Sequence, residues 1–195
     1  MKIIRNGFSS RNRNIGLVSL PKNLKKLWPD PPKNYFSVSY NETFWFPENI
    51  ATKLQEFNLQ KHERILDIGA FKNEMVEMLQ TNGYCNAVGI DVNSKILRSK
   101  YGMKINFRDL RLNEKYRMIC FNQVLCHFPG GIYNKQLQPS LQLFADKIYL
   151  HLLPKGYLIF CDSEDNVPKF KECLLNIGFK QIYDHDQYLH VFQKD

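Results

Sequence analysis

From residue 64 onward the chain alternates short apolar runs with longer amphipathic stretches, the pattern of a parallel sheet wrapped by helices. The apolar runs predict strands at about 64–68, 86–91, 103–107, 117–122 and 156–161. The stretches between them predict helices at about 73–82, 94–101 and 137–152. Near the end the pattern changes. A helix from about Pro168 to Ile177, closed by Gly178, precedes two strands at about 179–184 and 187–193. Asp184, His185 and Asp186 are too short a link for a parallel crossover, so these last strands form an antiparallel hairpin.

Ahead of this pattern the chain reads differently. Pro29, Asp30, Pro31 and Pro32 break any helix. Phe36, Val38 and Tyr40 alternate, and Phe44, Trp45 and Phe46 follow, as in a short strand pair or an aromatic flap. Pro47 suits a first helical turn, and Ile50, Leu54 and Phe57 repeat at helical spacing. The chain therefore divides into an aromatic N-terminal arm, residues 1–46, and a domain spanning 47–195. A length of 195 residues is enough for one ordinary domain with its own core.

Charge changes the picture. The net charge is +8, from 27 Lys and Arg against 19 Asp and Glu. Eight of those bases (Lys2, Arg5, Arg11, Arg13, Lys22, Lys25, Lys26, Lys33) and only two acids (Asp30, Glu42) fall in the first 45 residues, so +6 resides there. A basic arm on a nearly neutral domain points to a polyanionic partner such as RNA or a ribonucleoprotein, the alternative being a solvated face that aids solubility. The arm's first residues, rich in Arg and Ser and free of acids, share the composition of an organelle transit peptide; we read them as part of the working protein. Hydrophobic residues make up 44% and charged residues 24%, the balance of a globular protein. No apolar run is long enough for a membrane span, so no membrane partner is expected. The five cysteines are odd in number and include no Cys-x-x-Cys pair. They read as reduced thiols of a cytoplasmic protein, with no metal site.

The strand ends carry the candidate chemistry. Ile65-Leu66-Asp67-Ile68-Gly69 runs from an apolar strand through an acid to a glycine, where backbone can approach a ligand without a Cβ intruding. Ala87-Val88-Gly89-Ile90-Asp91 ends in a carboxylate able to take both hydroxyls of a ribose. Glu74 and Glu77, in the first turn of the helix after Gly69, would repel a pyrophosphate at that helix end. A cationic ligand without phosphate fits better there than a dinucleotide. Phe107-Arg108-Asp109-Leu110 follows the third strand, Tyr116 to Phe128 holds the fourth strand and its loop, and Leu152-Leu153-Pro154-Lys155-Gly156 turns into the fifth. Leu174 to Phe179 leads into the hairpin.

Taken in order over roughly residues 47–195, this series resembles class I S-adenosylmethionine-dependent methyltransferases. The resemblance implies an α/β, Rossmann-like methyltransferase fold with a central, mostly parallel seven-stranded sheet, a C-terminal antiparallel hairpin and helices on both faces. It implies S-adenosyl-L-methionine as cofactor, held by Asp67, Gly69, Ala70, Phe71, Asp91, Val92, Asp109, Leu110 and Asn122. Asp67 would accept from the cofactor's amino group, and Asp109 from the adenine amino group. His127, in the loop similar to the family's Val-Leu-His-His, is the candidate base; a helix-start histidine with no enzymatic role is the alternative.

The departures define the other readings. Phe71 and Asn73 stand where the family usually has glycine, and Arg117 where it commonly has an acid at the start of the fourth strand. They motivate a catalytically inactive binding or scaffold subunit as an alternative to an RNA-directed methyltransferase. A small-molecule methyltransferase is the third reading. Asp30-Pro31-Pro32 is similar to the Asp-Pro-Pro-aromatic motif of amino-methylating enzymes, but Lys33 fills the aromatic position and we read a proline-rich linker. Because a sulfonium already carries an activated methyl group, the protein mainly aligns the acceptor and excludes water, so no universal catalytic side chain is expected.

Overall fold

A strand buried on both faces belongs in the middle of a sheet. Ile65–Ile68 (β1) is buried at all four positions, and in the computed structural model it is flanked by parallel neighbours on both sides. The structure describes residues 23–28, 54, 56–128, 140–162, 166–185 and 189–195. Within them, β1 pairs with Ala87–Asp91 (β2) and Tyr116–Asn122 (β4); Gly102–Lys104 (β3) lies outside β2, and Leu152–Cys161 (β5) outside β4. Phe179–His185 (β6) and Leu189–Lys194 (β7) form the antiparallel hairpin, with β7 against β5. The seven strands run in the order β3-β2-β1-β4-β5-β7-β6, so the expected mostly parallel sheet with an antiparallel end is what forms.

Strand alternation divides the core into two layers. Met118 and Cys120 of β4 face one way with Ile159 of β5, beneath the helix Glu74–Thr81, whose Met75, Val76 and Leu79 are buried. Ile119 and Phe121 face the other way with Leu158 and Phe160, against the helices Leu141–His151 and Val167–Asn176. We number the helices α1 (Leu24–Leu27), α2 (Glu74–Thr81), α3 (Leu141–His151) and α4 (Val167–Asn176). The second layer is built on phenylalanine: the Phe121 ring lies 5.0 Å from Phe160 and 5.5 Å from Phe144. Ser140 caps α3 by accepting from the Leu143 N–H at 3.2 Å.

Three expected elements are shorter than the pattern suggested. β3 ends at Lys104 and not at 107, because the Asn106 side chain accepts from the Arg108 N–H at 2.9 Å and turns Phe107–Asp109 into a 3-10 turn. The stretch expected as a helix at 94–101 is a 3-10 turn, Ser94–Arg98. The helix expected to begin at 137 starts at Leu141, and 137–139 lie outside the described residues. β5 is longer than expected, beginning at Leu152; its register against β4 jumps from Tyr116↔Leu152 to Met118↔Tyr157, so Leu153 to Gly156 bulge out of the ladder.

The connection from β3 to β4 holds no α-helix, only the Phe107–Asp109 turn. On that face Trp28, directly after α1, is 4% exposed and packs edge-on against Phe107 and Phe144 at 6.1 and 5.9 Å. A residue of the N-terminal arm thus belongs to the core layer. The aromatic stretch 36–46 and the linker 29–32 lie outside the described residues, as does most of the segment expected to be helical around Pro47, although Leu54 and Glu56 are helical.

Candidate functional site

At the carboxyl edge of the sheet the chain turns sharply out of β1. Gly69 adopts φ +73°, and a Cβ there would fall 2.7 Å from Val124 Cγ2. Phe71 and Asn73 also take left-handed angles, φ 44° and 70°. The two departures from glycine therefore keep a glycine-like backbone. For a non-glycine residue this conformation costs on the order of 1–2 kcal/mol, less for Asn and more for a bulky side chain.

Specific bonds hold the turn. The N–H groups of Gly69 and Ala70 donate to the Ile90 carbonyl at 2.9 and 3.1 Å, and the Phe71 N–H donates to Asp91 Oδ2 at 2.9 Å. Asn73, fully buried, donates its amide to Ser99 Oγ at 2.9 Å and lies over Gly89, where any Cβ would fall 1.8 Å from Asn73 Oδ1. Phe71 itself is half-buried, so its ring is not sealed into the core.

Two carboxylates meet beside this turn. Asp67, 5% exposed, ends β1 with the Cys120 thiol 3.7 Å from its Oδ1. Burial pushes its pKa up to about 8, the Cys120 hydrogen bond opposes this, and the charge of Asp91 adds to it. Asp91 accepts the Asn93 N–H on Oδ1 at 2.6 Å and the Phe71 N–H on Oδ2. Burial raises its pKa also, against the pull of those backbone bonds. Val92 follows it, half-buried, in the bend that carries the Asn93 N–H back to the carboxylate. The Val92 N–H also bonds the Asp91 carboxylate, so three backbone donors hold it and acceptor capacity remains for a ligand hydroxyl.

Asp109 stands apart from this pair. Its carboxylate is gripped by the neighbouring Arg108, from Nε at 3.0 Å and Nη2 at 2.8 Å, and Arg108, Lys25 and Lys147 hold it below the usual carboxylate range. Leu110 is buried and its carbonyl accepts from the buried Lys147 ammonium at 3.1 Å. At the end of β4, Asn122 Oδ1 is shielded from water without a partner among the described residues. An orphaned acceptor and a buried, uncompensated carboxylate at one edge suit a ligand carrying hydroxyl, amino and cationic groups.

The loop after β4 is braced by residues that the sequence reading missed. Asp162, just past β5, accepts from the N–H groups of Leu125 and Cys126 at 2.5 and 3.1 Å. Asn166 donates to the carbonyls of Leu125 and Phe128 at 2.9 and 3.4 Å. His127 ends the short 3-10 turn they hold, half-buried. The signal for Asp162 was available, since it is an acid directly after the apolar run of a strand. Arg117, by contrast, sits at the opposite, amino edge, 3.3 Å from Glu63 and donating to the Pro154 carbonyl at 3.0 Å. It bears on the sheet's base and not on the carboxyl edge.

A doubly wound sheet in this order, closed by an antiparallel hairpin and carrying an acid-x-Gly turn and an acid at the ends of its first two strands, defines the class I methyltransferase architecture. A family model described as a methyltransferase domain matches residues 40–193, and the chain belongs to that family. S-adenosyl-L-methionine is the methyl donor of the class. Solved structures share the fold. The N-methyltransferase NodS from Bradyrhizobium japonicum WM9 in complex with S-adenosyl-L-homocysteine superposes with TM-score 0.57 at 15% identity, over 88% of this chain and 96% of that one. CalS10, an amino pentose methyltransferase from Micromonospora echinaspora, gives 0.59 at 10% identity, over 76% and 90%. A comparison with curated protein sequences found no match. Among the described residues no helix is long and apolar enough to cross a membrane.

Proposed function

We propose that the chain is an S-adenosyl-L-methionine-dependent methyltransferase acting on RNA or an RNA-associated target, with the basic arm holding the polyanion. The retained left-handed backbone at Gly69, Phe71 and Asn73 carries the enzyme reading over the scaffold reading. Strain of this kind persists where surrounding structure holds it, and here it is held by the bonds of the turn to Ile90, Asp91 and Ser99. Bound here, the cofactor would supply a methyl group already activated on sulfur. Asp91 would bind the ribose hydroxyls and Asp67 the amino group, while Gly69, Ala70 and Phe71 present backbone to the amino-acid portion. Val92, Asp109 and Leu110 would flank the adenine. Asn122 would offer its orphaned oxygen, and the loop braced by Asp162 and Asn166 would orient the acceptor and exclude water, with His127 at its end.

The RNA part rests on α1, within the basic arm. Lys25 and Lys26 are exposed on α1, which Trp28 anchors to the domain, so charge is presented on a fixed surface. Salt-dependent binding of a single-stranded homopolymer tests it. Lys26→Glu with Lys33→Glu is expected to weaken poly(U) binding and flatten its salt slope by about 2, roughly one per lost phosphate contact. Tritium transfer from labelled cofactor to total RNA is then expected to fall in parallel. A small-molecule acceptor is the second reading, favoured by the N-methyltransferase and amino pentose methyltransferase among the structural neighbours. Unchanged transfer in the arm variant, with label in small molecules and none in RNA, would select it.

A further inference from the structure

Arg108 is a buried cation with an unusual set of partners. Its side chain is 2% exposed, while the Asp109 carboxylate that it grips is 39% exposed. Nε and Nη2 each take one carboxylate oxygen, a two-pronged contact that fixes the orientation of the group as well as its charge. The remaining nitrogen, Nη1, donates to the Trp28 carbonyl across a sequence separation of 80 residues.

Trp28 is the seat of the arm. Its N–H closes the α1 turn on the Leu24 carbonyl at 2.8 Å, and its ring is wedged between Phe107 and Phe144, themselves 5.7 Å apart. Lys147, 1% exposed, holds the Leu110 carbonyl on the far side of Asp109. Burying two cations costs several kcal/mol each before compensation, and apolar residues of similar size would pack the layer at less cost. The observed arrangement instead places one carboxylate, with free lone pairs toward solvent, at a fixed point joined to the arm.

We propose that Arg108 is a positioning residue for base recognition: it fixes the Asp109 carboxylate that receives the adenine amino group and makes that position depend on the seating of the arm at Trp28. This rests on the reading of the carboxyl edge as an S-adenosyl-L-methionine site. A carboxylate only accepts hydrogen bonds, so it favours a base bearing a 6-amino donor over one bearing a 6-oxo acceptor. Trp28 then contributes to cofactor selectivity through Arg108.

The test compares S-adenosylhomocysteine with S-inosylhomocysteine, which carries the 6-oxo group, by equilibrium binding to the full chain. The wild type is expected to prefer the adenosyl ligand by about tenfold or more, the worth of one charge-assisted hydrogen bond. Arg108→Gln is expected to lose most of this preference by weakening the adenosyl ligand alone. Asp109→Asn is expected to lose it too, and the double variant to lose no more than either single one. Trp28→Ala is expected to reduce the preference in the same direction. Arg108→Lys, which keeps the charge and drops the fork, is expected to fall between, and it carries the comparison if Arg108→Gln does not fold. Unchanged preference in folded Arg108 variants, or equal weakening of both ligands, overturns the proposal while leaving the cofactor reading intact. Binding of neither ligand by the wild type overturns both.

Discussion

The two edges of one sheet treat charge in opposite ways. At the amino edge charged groups meet partners: Arg64 meets Glu114 at 3.0 Å with side chains 47% and 31% exposed, Arg117 meets Glu63, and Lys61 lies 3.9 Å over the Tyr84 ring. At the carboxyl edge, on the same strands, Asp67 is buried without a cation among the groups that set its pKa, Asn122 keeps an orphaned oxygen, and Phe71 holds a left-handed backbone. The amino edge pairs its charges, which adds little to stability, although Arg117 Nε is buried without a hydrogen-bond partner among the described residues and Lys155 takes φ 59° there. The carboxyl edge is held away from its own minimum, which is how a fold keeps groups ready for a ligand.

If that contrast is right, substitutions should separate by edge. The largest effect is expected at Asp67. Its folded pKa is raised, so its contribution is fully present below the unfolded value near 4 and is lost as pH rises toward about 8. Asp67→Asn should match the wild type near pH 4 and gain on it steadily as pH rises toward about 8, read from urea midpoints across that range. A gap that does not change with pH would mean that Asp67 is ionised and compensated in the free protein.

Next comes Gly89→Ala, whose Cβ would collide with Asn73 Oδ1 and, at 2.8 Å, with the Ala70 Cβ. It is expected to destabilise by about 3 kcal/mol, the upper range for overpacking, and to abolish ligand binding by displacing the turn. Full stability in this variant would show that the turn does not pack as described. Phe71→Gly should be smaller and opposite in sign. Relief of backbone strain, partly offset by glycine's entropy, is expected to raise stability by up to about 1 kcal/mol without weakening S-adenosylhomocysteine. A loss of stability would assign Phe71 a packing role that outweighs its strain. Smallest of all, Glu114→Gln at the amino edge is expected to cost under about 1 kcal/mol and to leave binding untouched, as exposed ion pairs do.

Much of this contrast could be read from the sequence, because the strands that matter are unbroken apolar runs and their ends are marked by acids. Asp67 and Asp91 fall at adjacent strand ends whatever the loops do, so their meeting follows from the topology alone. Asn73 could be read as tolerant of left-handed angles, but not as the lid over Gly89, a contact made only when two βα turns stack. Arg117, placed by the sequence at the start of a parallel strand, lies for that reason on the far edge with Glu63, a pairing that the sequence does not disclose. The grip of Arg108 on Trp28 was invisible, since nothing local links residues 80 apart. The early end of β3 and the 3-10 turn after it were hidden by Ile105 and Phe107, apolar residues that prolong the strand pattern while Asn106 diverts the backbone.

The carboxyl edge as a cofactor site is tested most directly by calorimetric titration of S-adenosylhomocysteine into the full chain and into Asp91→Asn. One-to-one binding by the wild type, weakened at least about tenfold in the variant, is the predicted result, from loss of one charge-assisted acceptor. No binding by the wild type, or the same affinity in both, would contradict it.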